Sequence, residues 1–223
     1  WANCMWLKGV VMKAHYNGLI PRNPFIQFHI SPNVKEREYL TEDELKAVMT
    51  HEFADSKLAY IRDIFIFASF TVLSFVDIQE LTNDNIVEVN GEKWILSKRH
   101  KTKVAFQVKL LDIPLQIVER YRPMQKDNRI FPDLNYWSIC KPLKRMIREC
   151  GITKSISFHC SRHGFATLAL SKGMPIESVS RVLGHTNIVT TQLYAKITTQ
   201  KLDNDLTMFG DKLSKTFNGI TMS

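Results

Sequence analysis

Between residues 86 and 108 the apolar spacing of this chain changes from a helical repeat to strict alternation, and afterwards it changes back. Residues 86–89, 93–96 and 104–108 read as three short strands. The first two are joined at Asn90-Gly91, a pair that accepts the positive φ of a tight hairpin turn. One small antiparallel sheet inside an otherwise helical pattern excludes all-β and parallel α/β architectures. The expected class is mainly α with a small antiparallel β-sheet (α+β).

The helical segments announce their ends. Thr41 followed by Glu44 is a capping box opening a helix over 41–52. Asp55 or Ser56 starts a second helix, whose broad apolar face holds Leu58, Ile61, Phe65, Phe67 and Ala68 and which ends within 71–75. A short turn follows over 77–81. Further helices are expected from Pro114 to about Tyr121, over 135–150 ending at Gly151, and over 158–171 ending at Lys172-Gly173. Two more run from Pro175 to Gly184 and over 189–196, the last carrying Tyr194. Near the start, Trp6, Val10 and Tyr16 suit a helix stopping at Asn17-Gly18, after which Pro21, Pro24 and Pro32 interrupt regular structure. The tail suits one helix over 202–213.

Charge narrows the partner. Thirty Lys and Arg against 22 Asp and Glu give a net charge of +8, which favours an anionic partner, nucleic acid first; a solvated basic surface accounts for the same count. Cys4, Cys140, Cys150 and Cys160 show no C-x-x-C spacing and read as reduced packing thiols, as in a cytoplasmic protein. No apolar run approaches the ~20 residues of a membrane span, and no signal peptide is visible. The start at Trp1 reads as the beginning of a fragment.

The chemistry concentrates in residues 159–194. Arg162 follows His159 by three residues, so on one helix both share a face, and Ser157 as N-cap would put His159 in the first turn among free amides. His185 follows the Leu183-Gly184 stop, and Tyr194 follows Thr190 and Thr191. Two histidines, an arginine and a tyrosine without a carboxylate cluster suit metal-free work on a phosphate. The guanidinium is a forked donor, imidazole donates near neutral pH, and a phenol can be a covalent nucleophile. Each also has a plain reading: capping for His159 and His185, the surface for Arg162, half-buried packing for Tyr194. His163 completes an H-x-x-x-H spacing with His159, but the zinc-protease glutamate is absent and Arg162 between the two would repel a cation, so His163 is read as packing or as a hydrogen-bonding partner of a neighbouring loop. No metal and no cofactor are expected.

The order H-x-x-R, L-G-H and a tyrosine nine residues on resembles the C-terminal catalytic domain of tyrosine recombinases, the phage-integrase family. The resemblance covers residues 41–198. It implies Tyr194 as nucleophile, with Arg162, His159 and His185 on the scissile phosphate. Lys101, in the turn between the second and third strands, becomes the general acid, with Lys98, Arg99 and Lys103 as neighbours able to take that role. Asp77 becomes a supporting acid, or a simple helix cap. The resemblance implies residues 1–30 as the remnant of an upstream core-DNA-binding domain, 31–40 as linker, 41–198 as catalytic domain, and 199–223 as a tail with an intersubunit helix. It further implies double-stranded DNA as partner, a homotetramer on DNA, accessory DNA-bending proteins, a bacterial cytoplasmic setting and no membrane.

One position departs. Where the family has T-G-L-R, this chain has Thr71-Val72-Leu73-Ser74, so Ser74 stands where the first catalytic arginine is expected, as in integrases of mobile elements of gut anaerobes. Serine cannot supply a forked positive charge to a phosphorane. Arg62, on the preceding helix, is the first replacement to consider, although it also suits a surface ion pair; Arg99 is the second. The expected activity is site-specific recombination, integration or excision of a mobile element, through a 3′-phosphotyrosyl intermediate. The alternatives are a DNA-binding homologue with weak or no catalysis and a type IB topoisomerase-like nicking and rejoining enzyme.

Overall fold

Thr41 begins the ordered frame by a reciprocal cap. Its Oγ1 accepts from the Glu44 amide at 3.3 Å while Glu44 Oε2 accepts from the Thr41 amide at 2.7 Å, and helix α2 (Glu42–Thr50) follows. The computed structural model describes residues 2–28, 38–100, 103–125, 127–185, 187–195 and 199–218. The chain divides into two compact units, residues 1–37 and 38–223. The first holds α1 (Ala2–Tyr16), closed by amides of residues 17 to 19 bonding back to the last turn.

In the second unit the centre is α3 (Ser56–Thr71), capped by Asp55. Its residues from Asp63 to Ser69 are all buried, too many for one stripe, because α2, α5, α6 and α7 pack around it. Phe67 meets Phe131 edge-on at 4.9 Å, and Phe65 meets Phe158 at 6.1 Å. The surrounding helices are α5 (Asp112–Tyr121), α6 (Tyr136–Glu149) and α7 (Cys160–Ser171); α4 (Phe75–Gln79) leads from α3 to the sheet.

Strands β1 (Ile86–Val89), β2 (Glu92–Lys98) and β3 (Ala105–Lys109) form an antiparallel sheet in sequence order, with Ile86 opposite Ile95 and Ile95 opposite Val108. Alternation buries Ile95, Phe106 and Val108 on one face. The architecture is mainly helical with one small sheet, as the hairpin signal required. Strand β2 extends past residue 96, so that Lys98 still pairs with Ala105 and Arg99 donates its amide to Val104.

Two helix boundaries correct the sequence expectation. Helix α7 starts at Cys160 rather than 158, and its N-cap is His159, not Ser157; the Ser157 hydroxyl and amide instead lie 3.3 Å from Cys160 Sγ. After α8 (Ile176–Leu183), α9 is short (Val189–Gln192), and Tyr194 sits in the turn beyond it with its amide bonded to Thr191 O at 3.0 Å. With only four helical residues the 3.6 repeat never develops, so sequence periodicity overran its end. Helix α10 (Thr199–Thr216) is longer than expected and exposes Leu202, Leu206, Phe209 and Leu213. No helix among the described residues is long and apolar enough to cross a membrane.

Because α3 is buried all round, Phe67→Ala should lower unfolding free energy by about 3–5 kcal/mol, read as a shift of the urea midpoint at constant m-value.

Candidate active site

Helix α3 ends at an apolar residue in an unusual backbone state. Val72 is its C-cap at φ 61°, the left-handed region that a β-branched side chain resists. Its side chain is fully buried in a second apolar cluster with Ala166, Leu170, Val179 and Leu183, which holds α3 against α7 and α8. The left-handed turn presents Val72 O to two guanidiniums, with Nη1 of Arg99 and Nη1 of Arg162 each at 3.2 Å.

Arg99 enters from the end of β2 and is 8% exposed. Its Nη1 lies 3.0 Å from Asp77 Oδ2, its Nη2 donates to Val182 O at 3.1 Å, and its guanidinium stacks 4.2 Å from the Phe106 ring centre. Arg99 Nε is a buried donor with no acceptor among the described residues. Asp77 organises the rest. Ser74 caps α4 and donates its hydroxyl to Asp77 Oδ2 at 2.8 Å, while the His100 amide donates to Oδ1 at 2.9 Å. Burial alone pushes the Asp77 carboxyl up, but the His100 amide, Ser74 hydroxyl and Arg99 guanidinium outweigh it and hold it below the usual carboxylate range.

The position beside Ser74 is therefore filled by Arg99. Arg62 is elsewhere. It donates from Nη1 to His51 O and from Nε to Asp63, both at 2.9 Å, and lies over Phe53. The nine residues from Arg62 to the end of α3 span roughly 14 Å at the helical rise, and Arg62 stands in an ion pair, the plain reading that its sequence position also allowed.

Arg162, on the first turn of α7, also donates from Nη2 to Leu183 O. Burial first, then the nearby Arg99 charge, push its guanidinium down to about 10, against an opposing pull from Tyr194 and Asp77; it stays protonated at neutral pH. His185, past the left-handed Gly184, has Nδ1 2.9 Å from Thr191 Oγ1. Burial, then Arg162 and Arg99, push this imidazole below its ordinary value, so it is neutral at pH 7. His163 is buried, its ring centre 4.8 Å from that of His159 and 5.2 Å from that of Tyr194. The sequence reading of His163, packing or a hydrogen bond to a neighbouring loop, did not anticipate that its ring stands between those of His159 and Tyr194. Thr191 and the Val72 carbonyl were also missed. Lys101 lies outside the described residues. Among the described residues no group of three or more His, Cys, Asp and Glu could hold a metal ion. The cluster thus brings together two guanidiniums, one buried and one half-buried, with the imidazoles of His159, His163 and His185 and the phenol of Tyr194, a set suited to a phosphodiester in which negative charge grows.

Comparison with known proteins agrees with this chemistry. Residues 38–201 match the family model described as the phage integrase family. The tyrosine recombinase XerA of Pyrococcus horikoshii is 32% identical over 177 residues, covering 73% of this chain and 58% of that protein. The tyrosine recombinase XerC of Lactobacillus leichmannii is 26% identical over 200 residues, 83% of this chain and 67% of that protein. The chain spans little more than half the length of the archaeal relative. Among solved structures, the Tn1549 transposon integrase in complex with a circular intermediate DNA superposes with a TM-score of 0.75 at 18% identity, over 91% of this chain and 76% of that one. The XerH site-specific recombinase in a post-cleavage complex gives 0.63 at 22%, over 79% and 54%. These two likenesses establish a shared fold.

The lowered Asp77 value has a signed consequence. A depressed folded-state pKa contributes stability that is present above the ordinary value of about 3.9 and is lost as pH falls through the folded value. The stability difference between the wild type and Asp77→Asn should therefore be largest near neutrality and shrink below about pH 4, measured by urea unfolding at a series of pH values.

Proposed function

The chain belongs to the phage integrase family, and from that premise we propose that it is the catalytic part of a site-specific DNA recombinase that cuts and rejoins strands through Tyr194. The observation that carries the proposal is the pair of guanidiniums, Arg99 and Arg162, held on the single carbonyl of Val72 beside Tyr194. In this reading Arg99 supplies from β2 the charge that Ser74 cannot.

The Tyr194 phenolic oxygen, its proton passing to water, attacks the scissile phosphorus; a 3′-phosphotyrosyl bond forms and the bond to the 5′ oxygen breaks. Arg162 interacts electrostatically with Tyr194, and a guanidinium there can stabilise negative charge on the attacking oxygen. Arg99, Arg162, His159 and His185 neutralise and hydrogen-bond the phosphorane oxygens. Lys101, which lies outside the described residues, protonates the departing 5′ oxygen in this reading. A 5′ hydroxyl from a partner strand then attacks the phosphotyrosine and frees Tyr194, so the bond energy is conserved and no nucleotide cofactor or metal enters the reaction.

The partner of this chemistry is double-stranded DNA, consistent with the net charge of +8. We assign residues 1–30 to the end of an upstream DNA-gripping domain, 31–40 to its linker and 41–198 to the catalytic domain. The apolar stripe of α10 docks on a neighbouring subunit of a tetramer, and accessory bending proteins and a bacterial cytoplasmic setting complete the reading.

A nicked suicide duplex, which traps the covalent intermediate, tests the assignment. The wild type should form an adduct, Tyr194→Phe none, and Arg99→Ala about a hundredfold less. Adding Ser74→Arg to Arg99→Ala should recover part of that loss. Full adduct formation by Arg99→Ala would remove Arg99 from the mechanism.

A further inference from the structure

Thr191 is fully buried in the four-residue helix α9, a poor place for a hydroxyl unless it has a partner. Its Oγ1 lies 2.9 Å from His185 Nδ1. Among the described residues that hydroxyl has no other hydrogen-bond partner. The backbone of the same residue is used as well, since Thr191 O accepts the amide of Tyr194 at 3.0 Å. One residue therefore touches the imidazole through its side chain and the tyrosine turn through its carbonyl.

A buried hydroxyl carries one proton that must find an acceptor. Among the described residues the acceptor that it meets is His185 Nδ1. If Nδ1 bore a hydrogen, the two donors would face each other unless the threonine proton were left unsatisfied. We propose that Thr191 is a positioning residue that fixes the tautomer of His185, making Nδ1 the acceptor and leaving the ring proton on Nε2, aimed as a donor at a phosphate oxygen. Burial first, then the charges of Arg162 and Arg99, favour the neutral form of this imidazole. In a neutral ring the choice of tautomer decides whether the outward nitrogen can donate at all. Thr191 also keeps His185 and Tyr194 in register, because a shift of α9 would move both.

The consequence for cleavage rests on the recombinase reading; the tautomer itself does not, and the two are separable by experiment. Two-bond ¹H–¹⁵N correlation spectra of ¹⁵N-histidine-labelled protein report which ring nitrogen is protonated, and the suicide duplex reports cleavage. Wild-type His185 should show a protonated Nε2 and an unprotonated, hydrogen-bonded Nδ1. The near-isosteric Thr191→Val should give mixed tautomers and about tenfold slower adduct formation, the size of one lost hydrogen bond. Thr191→Ser should restore both. If Thr191→Val does not fold, Thr191→Ala carries the same comparison. A wild-type ring protonated at Nδ1, or a Thr191→Val protein with an unchanged tautomer and rate, overturns the proposal. The expected tautomers without an adduct from any variant would support the role of Thr191 and overturn the recombinase reading instead.

Discussion

The ion pair between Asp77 and Arg99 is the interaction on which the site depends. Both partners are nearly excluded from water, and a charge in such a place is tolerated only when its hydrogen-bonding capacity is met. Asp77 meets it with the Ser74 hydroxyl, two backbone amides and the guanidinium. Arg99 meets it with Asp77 and two carbonyls, leaving Nε over. Removing either partner strands the other, at a cost on the order of 3–5 kcal/mol for buried pairs. The pair therefore joins α4 to the end of β2, two elements that the chain order leaves 22 residues apart.

A second constraint lies in the backbone. A valine at positive φ carries strain of about 1–3 kcal/mol, offset by the roughly 1.5–3 kcal/mol from burying a side chain of this size. The burial is against α7 and α8, so the force that keeps Val72 in its left-handed state also sets where the helices of Arg162 and His185 stand. The carbonyl that results is shared by two like charges. Their mutual repulsion is tempered by that oxygen and by Asp77, and the space beyond them is ready for an anion.

Much of this was legible in the chain. The Asn90-Gly91 turn, the Thr41–Glu44 box and the Gly184 stop each encode local geometry, and each appears where its chemistry demands. The order of His159, Arg162, His185 and Tyr194 told the chemistry because reacting groups must be of particular types. What sequence could not give was through-space substitution. Arg62 is closer to Ser74 along the chain than Arg99 is, but helix α3 points it away while the strand end brings Arg99 in. The left-handed Val72 has no signature, since an apolar β-branched residue is the last expected there. Thr191 looked like one of a pair of small polar residues until its depth and its contact with His185 were seen.

In the proposed mechanism Arg99 neutralises a non-bridging phosphate oxygen that an arginine at position 74 would otherwise serve. A suicide duplex with a neutral methylphosphonate at the scissile position tests it most directly, because that substrate has no such charge to neutralise. If the account holds, Arg99→Ala, severely slowed on the phosphate, cleaves the methylphosphonate at close to the wild-type rate. An equal penalty on both substrates would mean that Arg99 holds the fold and not the phosphate.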